Sequence, residues 1–480
     1  MNKQLRRVSI VVMLMFLALF ASTTIIQYAQ KSNLQADGRN ARTFYASFKT
    51  ERGQLLVDGE PIAYSSPVDG RYTYQRVYAN GPMYSAATGF FTVLPSTGGL
   101  ESDLNSYLSG NSDEQFLERI NAILTGRDPQ GASVELTIDP VVQQAAWDAL
   151  GDYTGAVVAI DPRTGAILAL VSKPTYDPNQ LAVHDGELVE ATYQALLDDP
   201  GDPLIDRAIA GDLNPPGSTF KLVVTAAALE SGQFTADSEF PNPTSIVLPG
   251  TTTSIGNSAD SNCGGADTAS IATALRLSCN VPFAQLAGAL GDDAIRAQAE
   301  KFGFGSSIDI PMASEPSVYP QTQSEAETWL SGFGQANVRV SPLQVAMVSA
   351  AIANGGTLMK PTLVESIVAP DLTVLQSLQP QVYSTPLSAQ NAATMTQMMV
   401  AAVSNGVANN ARINGVAVAG KTGTAENGAG EPYTLWFTGF APADDPQVAV
   451  AVVLEDRPSC CGNTLAAPIA RKVMEAVLNR

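Results

Sequence analysis

Asn214-Pro215-Pro216-Gly217-Ser218-Thr219-Phe220-Lys221 runs straight into Leu222-Val223-Val224-Thr225-Ala226-Ala227-Ala228-Leu229 in this chain of 480 residues. Two prolines and a glycine stop a helix from extending backwards, and the run from Leu222 onwards is apolar on nearly every face, so the stretch predicts the N-terminus of a buried helix. Ser218 and Lys221 are three apart and share one face of that helix. In a desolvated cleft the lysine pKa falls, and a neutral amine can accept the serine proton. The helix N-terminus would favour an oxyanion developing beside it. The competing reading makes Ser218 an N-cap and Lys221 an exposed residue one turn on.

Two further motifs follow in order. Ser278-Cys279-Asn280 lies between the helix-like Ile271 to Leu277 and Val281-Pro282, in a loop position from which Ser278 and Asn280 can reach a cleft. Lys421-Thr422-Gly423-Thr424 sits on a strand that begins with the run Val416 to Gly420, whose alternation, Val416, Val418 and Gly420, suggests a sheet edge. Lys421 with the hydroxyls of Thr422 and Thr424 makes a carboxylate receptor, and Gly423 lets backbone or substrate approach closely. The chain has nine lysines, and only Lys221 has a serine three positions before it. S-x-N alone is weak, since Ser109-Gly110-Asn111 also matches; order and spacing favour Ser278.

The single histidine, His184, sits in an acidic stretch and reads as a solvated loop residue, which excludes a histidine-dependent triad. A formal net charge of −19 argues against nucleic acid as a partner. Metal-ligand spacing is absent, so neither a metal nor a cofactor is expected. Val8 to Ile26 is apolar and uncharged, follows Lys3, Arg6 and Arg7, and is expected to be an uncleaved transmembrane anchor with a cytoplasmic tail of residues 1–7. The rest would lie outside the membrane, where disulfides persist.

Residues 31–135 are polar and rich in Tyr, Ser and Gly, with short strand-like runs such as Gln54 to Val57 before the turn signal Asp58-Gly59; they read as a smaller β-rich spacer domain without a catalytic cluster. Residues 136–480 read as one α/β domain. Gly155 to Ile160, Ala166 to Val171, Leu435 to Phe440 and Val448 to Leu454 are expected strands, with helices at Leu222 to Glu230, Gln344 to Asn354 and Pro468 to Leu478. Strand groups at both ends with helices between them predict one sheet whose members are far apart in sequence.

At these residues the chain resembles the class B penicillin-binding proteins, monofunctional peptidoglycan transpeptidases, and its compact size looks like the actinobacterial cell-division subgroup. The resemblance also covers Arg52-Gly53, Ala159-Ile160-Asp161-Pro162-Arg163-Thr164-Gly165, Gly332-Phe333-Gly334-Gln335 and Ser341-Pro342-Leu343-Gln344. It implies a transpeptidase fold, an antiparallel sheet flanked by helices plus an all-helical part, and acylation of Ser218 by a D-Ala-D-Ala stem peptide, with β-lactams as covalent inhibitors. Lys221 would be the base, Ser278 a relay to the leaving D-Ala, and Asn280 a holder of the peptide amide. Lys421, Thr422 and Thr424 would hold the terminal carboxylate, and the N–H groups of Ser218 and Thr424 would form the oxyanion hole. No glycosyltransferase module is expected, so a membrane glycosyltransferase is the implied partner. A D,D-carboxypeptidase, a β-lactam sensor and a β-lactamase share the motifs and remain alternatives.

The four cysteines allow three pairings. Cys263 and Cys279 flank a Gly-Gly turn and a helix-like run, and their bond would brace Ser278 and Asn280. Free thiols or a cross-wise pairing with Cys460 or Cys461 are the alternatives. A bond between the adjacent Cys460 and Cys461 is disfavoured, because it closes an eight-membered ring.

Overall fold

The computed structural model describes residues 2–30, 48–94, 97–126, 128, 130–211, 213–257, 261–321, 324–428 and 430–480. Helix α1 (Asn2–Thr24) belongs to the apolar span Lys3–Tyr28, which is long and apolar enough to cross a membrane and whose side chains are exposed in the isolated chain.

Two sheets organise the remainder. In chain order their strands are β1 (Leu55–Val57), β2 (Glu60–Pro67), β3 (Tyr74–Tyr78), β4 (Ser133–Leu136), β5 (Gly155–Ile160), β6 (Ile167–Lys173), β7 (Val364–Val368), β8 (Val374–Ser377), β9 (Ala419–Ala425), β10 (Tyr433–Ala441) and β11 (Val448–Arg457). The helices that shape the site are α2 (Pro140–Leu150), α3 (Lys221–Glu230), α4 (Ile271–Leu277), α5 (Asn280–Leu290), α6 (Pro342–Ala353), α7 (Ala389–Asn405) and α8 (Ala466–Leu478).

The larger domain is built on an antiparallel sheet in the order β9-β10-β11-β5-β6. Its strands are apolar almost without a break because both faces are covered, and alternate residues feed two cores. Val157, Phe437, Val450 and Val452 join α2 and α8 on one side; Ala156, Val158, Trp436 and Ala451 join α6 on the other. Seating β11 beside β5 joins strands from opposite ends of the domain, as the grouping of apolar runs predicts. Helices α3, α4 and α5 with Asp292–Lys301 and Glu325–Ser331 form the all-helical part, and α7 connects it to β9.

The second sheet runs β8-β7-β4-β1-β2-β3. Its first hairpin turns at Asp58 and Gly59, both left-handed at φ 52° and 74°, the geometry an Asp-Gly pair favours between two strands. Helices Gly81–Thr88 and Phe116–Thr125 accompany it. Strand β4 pairs antiparallel with β7, so a hairpin from beyond residue 360 completes a sheet begun near residue 55.

Three expectations need correction. The Lys-Thr-Gly-Thr motif does sit on an edge strand, but that strand is Ala419–Ala425 and does not begin at Val416, which closes a turn with its N–H on the Ile413 carbonyl; the ladder with β10 begins at Ala419 opposite Phe440. His184 is not solvated; its ring is half-buried against Tyr72 and Phe48, 4.5 and 5.6 Å between centroids, and Nε2 is buried without a hydrogen bond. Its apolar neighbours come from more than a hundred residues upstream, where no local pattern points to them. Finally, Cys460 and Cys461 are bonded to each other, because the peptide between them is cis and leaves the Cα atoms 3.2 Å apart.

Candidate active site

The Pro-Pro-Gly stretch forms a single 3₁₀ turn, Gly217–Phe220, that leads into α3. This turn lies directly against β9. Gly217 has φ +50°, and a Cβ on it would sit 2.6 Å from the Thr424 carbonyl oxygen; a Cβ on Gly423 would sit 2.9 Å from the Pro216 oxygen. Glycine at both positions lets turn and strand touch through their main chains. Further ties fix the turn from below: the Gly217 N–H donates to Gly334 O at 3.1 Å, Trp436 Nε1 to Pro215 O at 3.0 Å, and Asn214 Nδ2 to Glu455 Oε1 at 2.7 Å. Ser218 is thereby held half-buried beside the Lys-Thr-Gly-Thr strand, and among the described residues its hydroxyl makes no hydrogen bond.

Lys221, the first residue of α3, is fully buried. Its ammonium nitrogen donates to Ser278 O at 2.8 Å and Asn280 Oδ1 at 2.9 Å, and lies 3.5 Å from Ser278 Oγ. Lys421, also fully buried, reaches the same serine from β9, with Nζ 2.8 Å from Ser278 Oγ and 2.9 Å from Thr422 O. Ser278 ends α4 in the left-handed region at φ 61°, which turns the chain sharply into α5 and presents both its hydroxyl and its carbonyl to the lysines. Asn280 opens α5, and its Nδ2 donates to Gly256 O at 3.2 Å.

Burial in this cluster acts against charge. Desolvation, reinforced by the nearby Lys421, holds the Lys221 amine well below the usual lysine range. Desolvation also pulls Lys421 down to about 7. Neither is paired with a carboxylate among the described residues, so nothing offsets the loss of water. Two such lysines converging on one hydroxyl make a proton-transfer site, with an amine able to take a proton near neutral pH and a serine able to pass one.

Lys221, Ser278, Asn280 and Lys421 thus form one hydrogen-bonded cluster. Ser218 stands one turn before Lys221, and Thr422, Gly423 and Thr424 continue along the edge strand β9. Cys263 and Cys279 are bonded, with Cα atoms 5.7 Å apart. Sequence reading missed the supports, namely Asn214, Glu455, Trp436 and Gly462, whose N–H donates to Thr424 Oγ1 at 3.4 Å. No spacing announces them; an indole N–H inside an otherwise apolar strand is the one signal, since a buried donor needs an acceptor. Hollows of about 460 and 520 Å³ lie elsewhere, at Arg119 and Asp371 and at Tyr176 and Asp206, so volume does not locate the site.

Known proteins carry the same architecture. The penicillin binding protein transpeptidase domain family matches residues 155–475, and the penicillin binding protein A dimerisation domain family matches residues 52–134. The peptidoglycan D,D-transpeptidase PbpA of Mycolicibacterium smegmatis is 41% identical over 490 aligned residues, covering 100% of this chain and 99% of that protein. The ceftriaxone acyl-enzyme complex of penicillin-binding protein A from M. tuberculosis superposes with a TM-score of 0.87 at 41% identity, over 90% of this chain and 100% of that one. Its penicillin G acyl-enzyme complex superposes with a TM-score of 0.85, over 89% and 100%. With one family matching residues 155–475, another matching residues 52–134, and a relative 41% identical across the whole length, the chain belongs to the class B penicillin-binding proteins.

Proposed function

We propose that this chain is a peptidoglycan D,D-transpeptidase that cross-links stem peptides through an acyl-enzyme on Ser218, and that β-lactams acylate the same serine. The observation that carries this reading is the pair of buried, charge-depressed lysines meeting at Ser278, one of them, Lys221, one turn on from Ser218. Neutral Lys221 takes the Ser218 proton as Oγ bonds to the carbonyl carbon of the penultimate D-Ala. The oxyanion is received by the N–H groups of Ser218 and Thr424, each such donor contributing about 3 kcal/mol. Ser278 passes the proton to the departing D-Ala nitrogen as the C–N bond breaks. An amine of a neighbouring stem then attacks the ester, loses its proton along the same route, and returns Ser218 to its hydroxyl form. Lys421, Thr422 and Thr424 hold the terminal carboxylate, and β9, the last strand of its sheet, pairs with the donor peptide in extended form.

Supporting the anchored reading, basic residues precede the apolar run in α1, which would leave residues 1–7 in the cytoplasm and the catalytic domain outside. The spacer region, residues 31–135, would lift the transpeptidase domain, residues 136–480, towards the wall. A membrane glycosyltransferase is the partner this arrangement needs, since glycan strands must be polymerised before they are cross-linked.

Intact-mass spectrometry with benzylpenicillin tests the assignment. One adduct per wild-type chain and none on Ser218→Ala is the expected result. An adduct surviving in Ser218→Ala would sink it. Incubation with polymerised lipid II separates the alternatives: linked stem dimers are expected, while free D-Ala without dimers would mark a carboxypeptidase.

A further inference from the structure

Helix α5 begins at Asn280, and the residue in its N-cap position, Cys279, gives the helix no side-chain hydrogen bond because its sulfur is bonded to Cys263. The first N–H groups of a helix have no intrahelical partners, and buried ones need an acceptor from elsewhere. That acceptor is Asn257. Its Oδ1 receives the N–H of Asn280 at 2.9 Å and that of Val281 at 3.0 Å.

Asn257 is 5% exposed and is itself clamped. Its Nδ2 donates to Asn242 Oδ1 and to Pro243 O, both at 3.2 Å. Asn242 is completely buried; its Nδ2 donates to Cys263 O at 2.7 Å and Ala266 O at 3.0 Å, and its Oδ1 also accepts from Cys263 N. The residue before Asn257 completes the arrangement. Gly256 O takes the Asn280 Nδ2 proton at 3.2 Å, so the amide nitrogen faces Gly256 and Oδ1 is left for Lys221 Nζ at 2.9 Å. One segment therefore fixes Asn280 twice, by its main-chain N–H and by the orientation of its side chain.

We infer that Asn257 is a positioning residue for acylation: a helix cap supplied from outside α5, standing where the disulfide has removed the local one, which sets Asn280 so that it in turn sets Lys221. Asn242 is the strut behind it. The same bonds that cap the helix decide the placement of a base, for which displacements of a fraction of an ångström matter. This inference rests on acylation at Ser218.

The experiment uses the full-length chain in detergent and a fluorescent penicillin, reading the second-order acylation rate constant and the labelling stoichiometry separately. Asn257→Ala is expected to acylate about tenfold more slowly, roughly the loss of one oriented hydrogen bond, while still taking one label per folded chain. A merely structural role would lower the stoichiometry and leave the rate constant alone, and that result would overturn the inference. Asn257→Asp keeps Oδ1 as the acceptor for Asn280 and Val281, sets an oxygen against Asn242 Oδ1 and Pro243 O where Nδ2 donates, and adds a negative charge behind Asn280, the partner of Lys221, whose other charged neighbour, Lys421, is unchanged. Its acid limb in the pH–rate profile is expected to move up by about half a pH unit or more, with the alkaline plateau within about threefold of wild type. An acid limb coincident with that of wild type would overturn the inference even if Asn257→Ala failed to fold. If wild type is not labelled, or Ser218→Ala is, it is the acylation assignment that fails instead.

Discussion

The molecule buries charge in two places and treats it in opposite ways. Beside the spacer sheet, Glu101 lies completely buried between Arg52 and Arg76, with Arg76 Nε at 2.6 Å from Oε1 and Arg52 bonded to Oε2 and to the Glu101 carbonyl. Arg76 also donates to Gly53 O at 2.8 Å, and Arg52 to Asn105 Oδ1 at 2.7 Å. Burial pushes the Glu101 carboxyl up, but the two guanidinium groups outweigh it and hold the group below its ordinary value. In the lysine–serine cluster two lysines are equally buried and, among the described residues, donate only to neutral acceptors, so both amines are driven down. The difference is one of purpose. A compensated ion cluster keeps its charges and locks chain segments together; an uncompensated one surrenders its protons, which a structural site has no use for and a general base requires.

Lys221→Ala gives the sharpest break of the comparison. It should lower the acylation rate constant by about 10³-fold, within the range for removal of a general base, while the melting temperature changes little, because relief of a desolvated amine opposes the cavity and the hydrogen bonds lost at Ser278 O and Asn280 Oδ1. Stopped-flow acylation beside calorimetry would show whether the two properties part in this way. Next in size is Glu101→Ala, which strands two buried guanidinium groups and should destabilise the protein by about 3–5 kcal/mol, with acylation per folded chain unchanged. Denaturant titration with active-site labelling checks it; an equal loss of labelling rate would mean that the spacer cluster acts on the catalytic site after all.

The smallest effect is also the most diagnostic. Lys421 has a folded pKa of about 7 against 10.5 for the free side chain, so between those values the unfolded chain binds the extra proton and stability rises with pH. The cost of burying this lysine is full below the folded value and vanishes towards the unfolded one. Lys421→Met should therefore melt about 2–5 °C higher near pH 6–7, and the gap should close as pH approaches 10. A pH-independent gap would mean that Lys421 keeps its charge when folded.

Legibility from sequence followed the range of the forces involved. The helix after Ser218 was readable because its cause is local: prolines stop it, and an unbroken apolar run buries it. Strands β5, β10 and β11 were readable for the same reason, as each is a continuous apolar run. Strand β9 was legible as the bearer of the motif, but its start lies three residues beyond Val416, at Ala419, because Gly420, Lys421, Thr422, Gly423 and Thr424 give no apolar pattern and the strand's extent is set by pairing with β10. The site motifs were recognisable as residue types, whereas Asn257, Asn242, Asn214 and Glu455 were invisible, since an asparagine or glutamate that caps another segment looks in sequence like any loop or strand-end residue. His184 misled for a related reason: polar sequence neighbours surround a ring that packs on Tyr72 and Phe48.

Composition and order alone determined that this chain has an apolar N-terminal span, a single histidine, a serine and a lysine three residues apart at the head of an apolar run, and two further polar motifs in a fixed succession. Those properties depend on covalent connectivity and local periodicity. Only the tertiary structure decided that Lys421 and Lys221 meet at one hydroxyl, that neither is paired with a carboxylate among the described residues, and that β7 and β8 complete the sheet begun near residue 55. Each of these joins groups distant in sequence, and an amine's charge state is set by the water and ions it has lost, which depend on what the fold places around it.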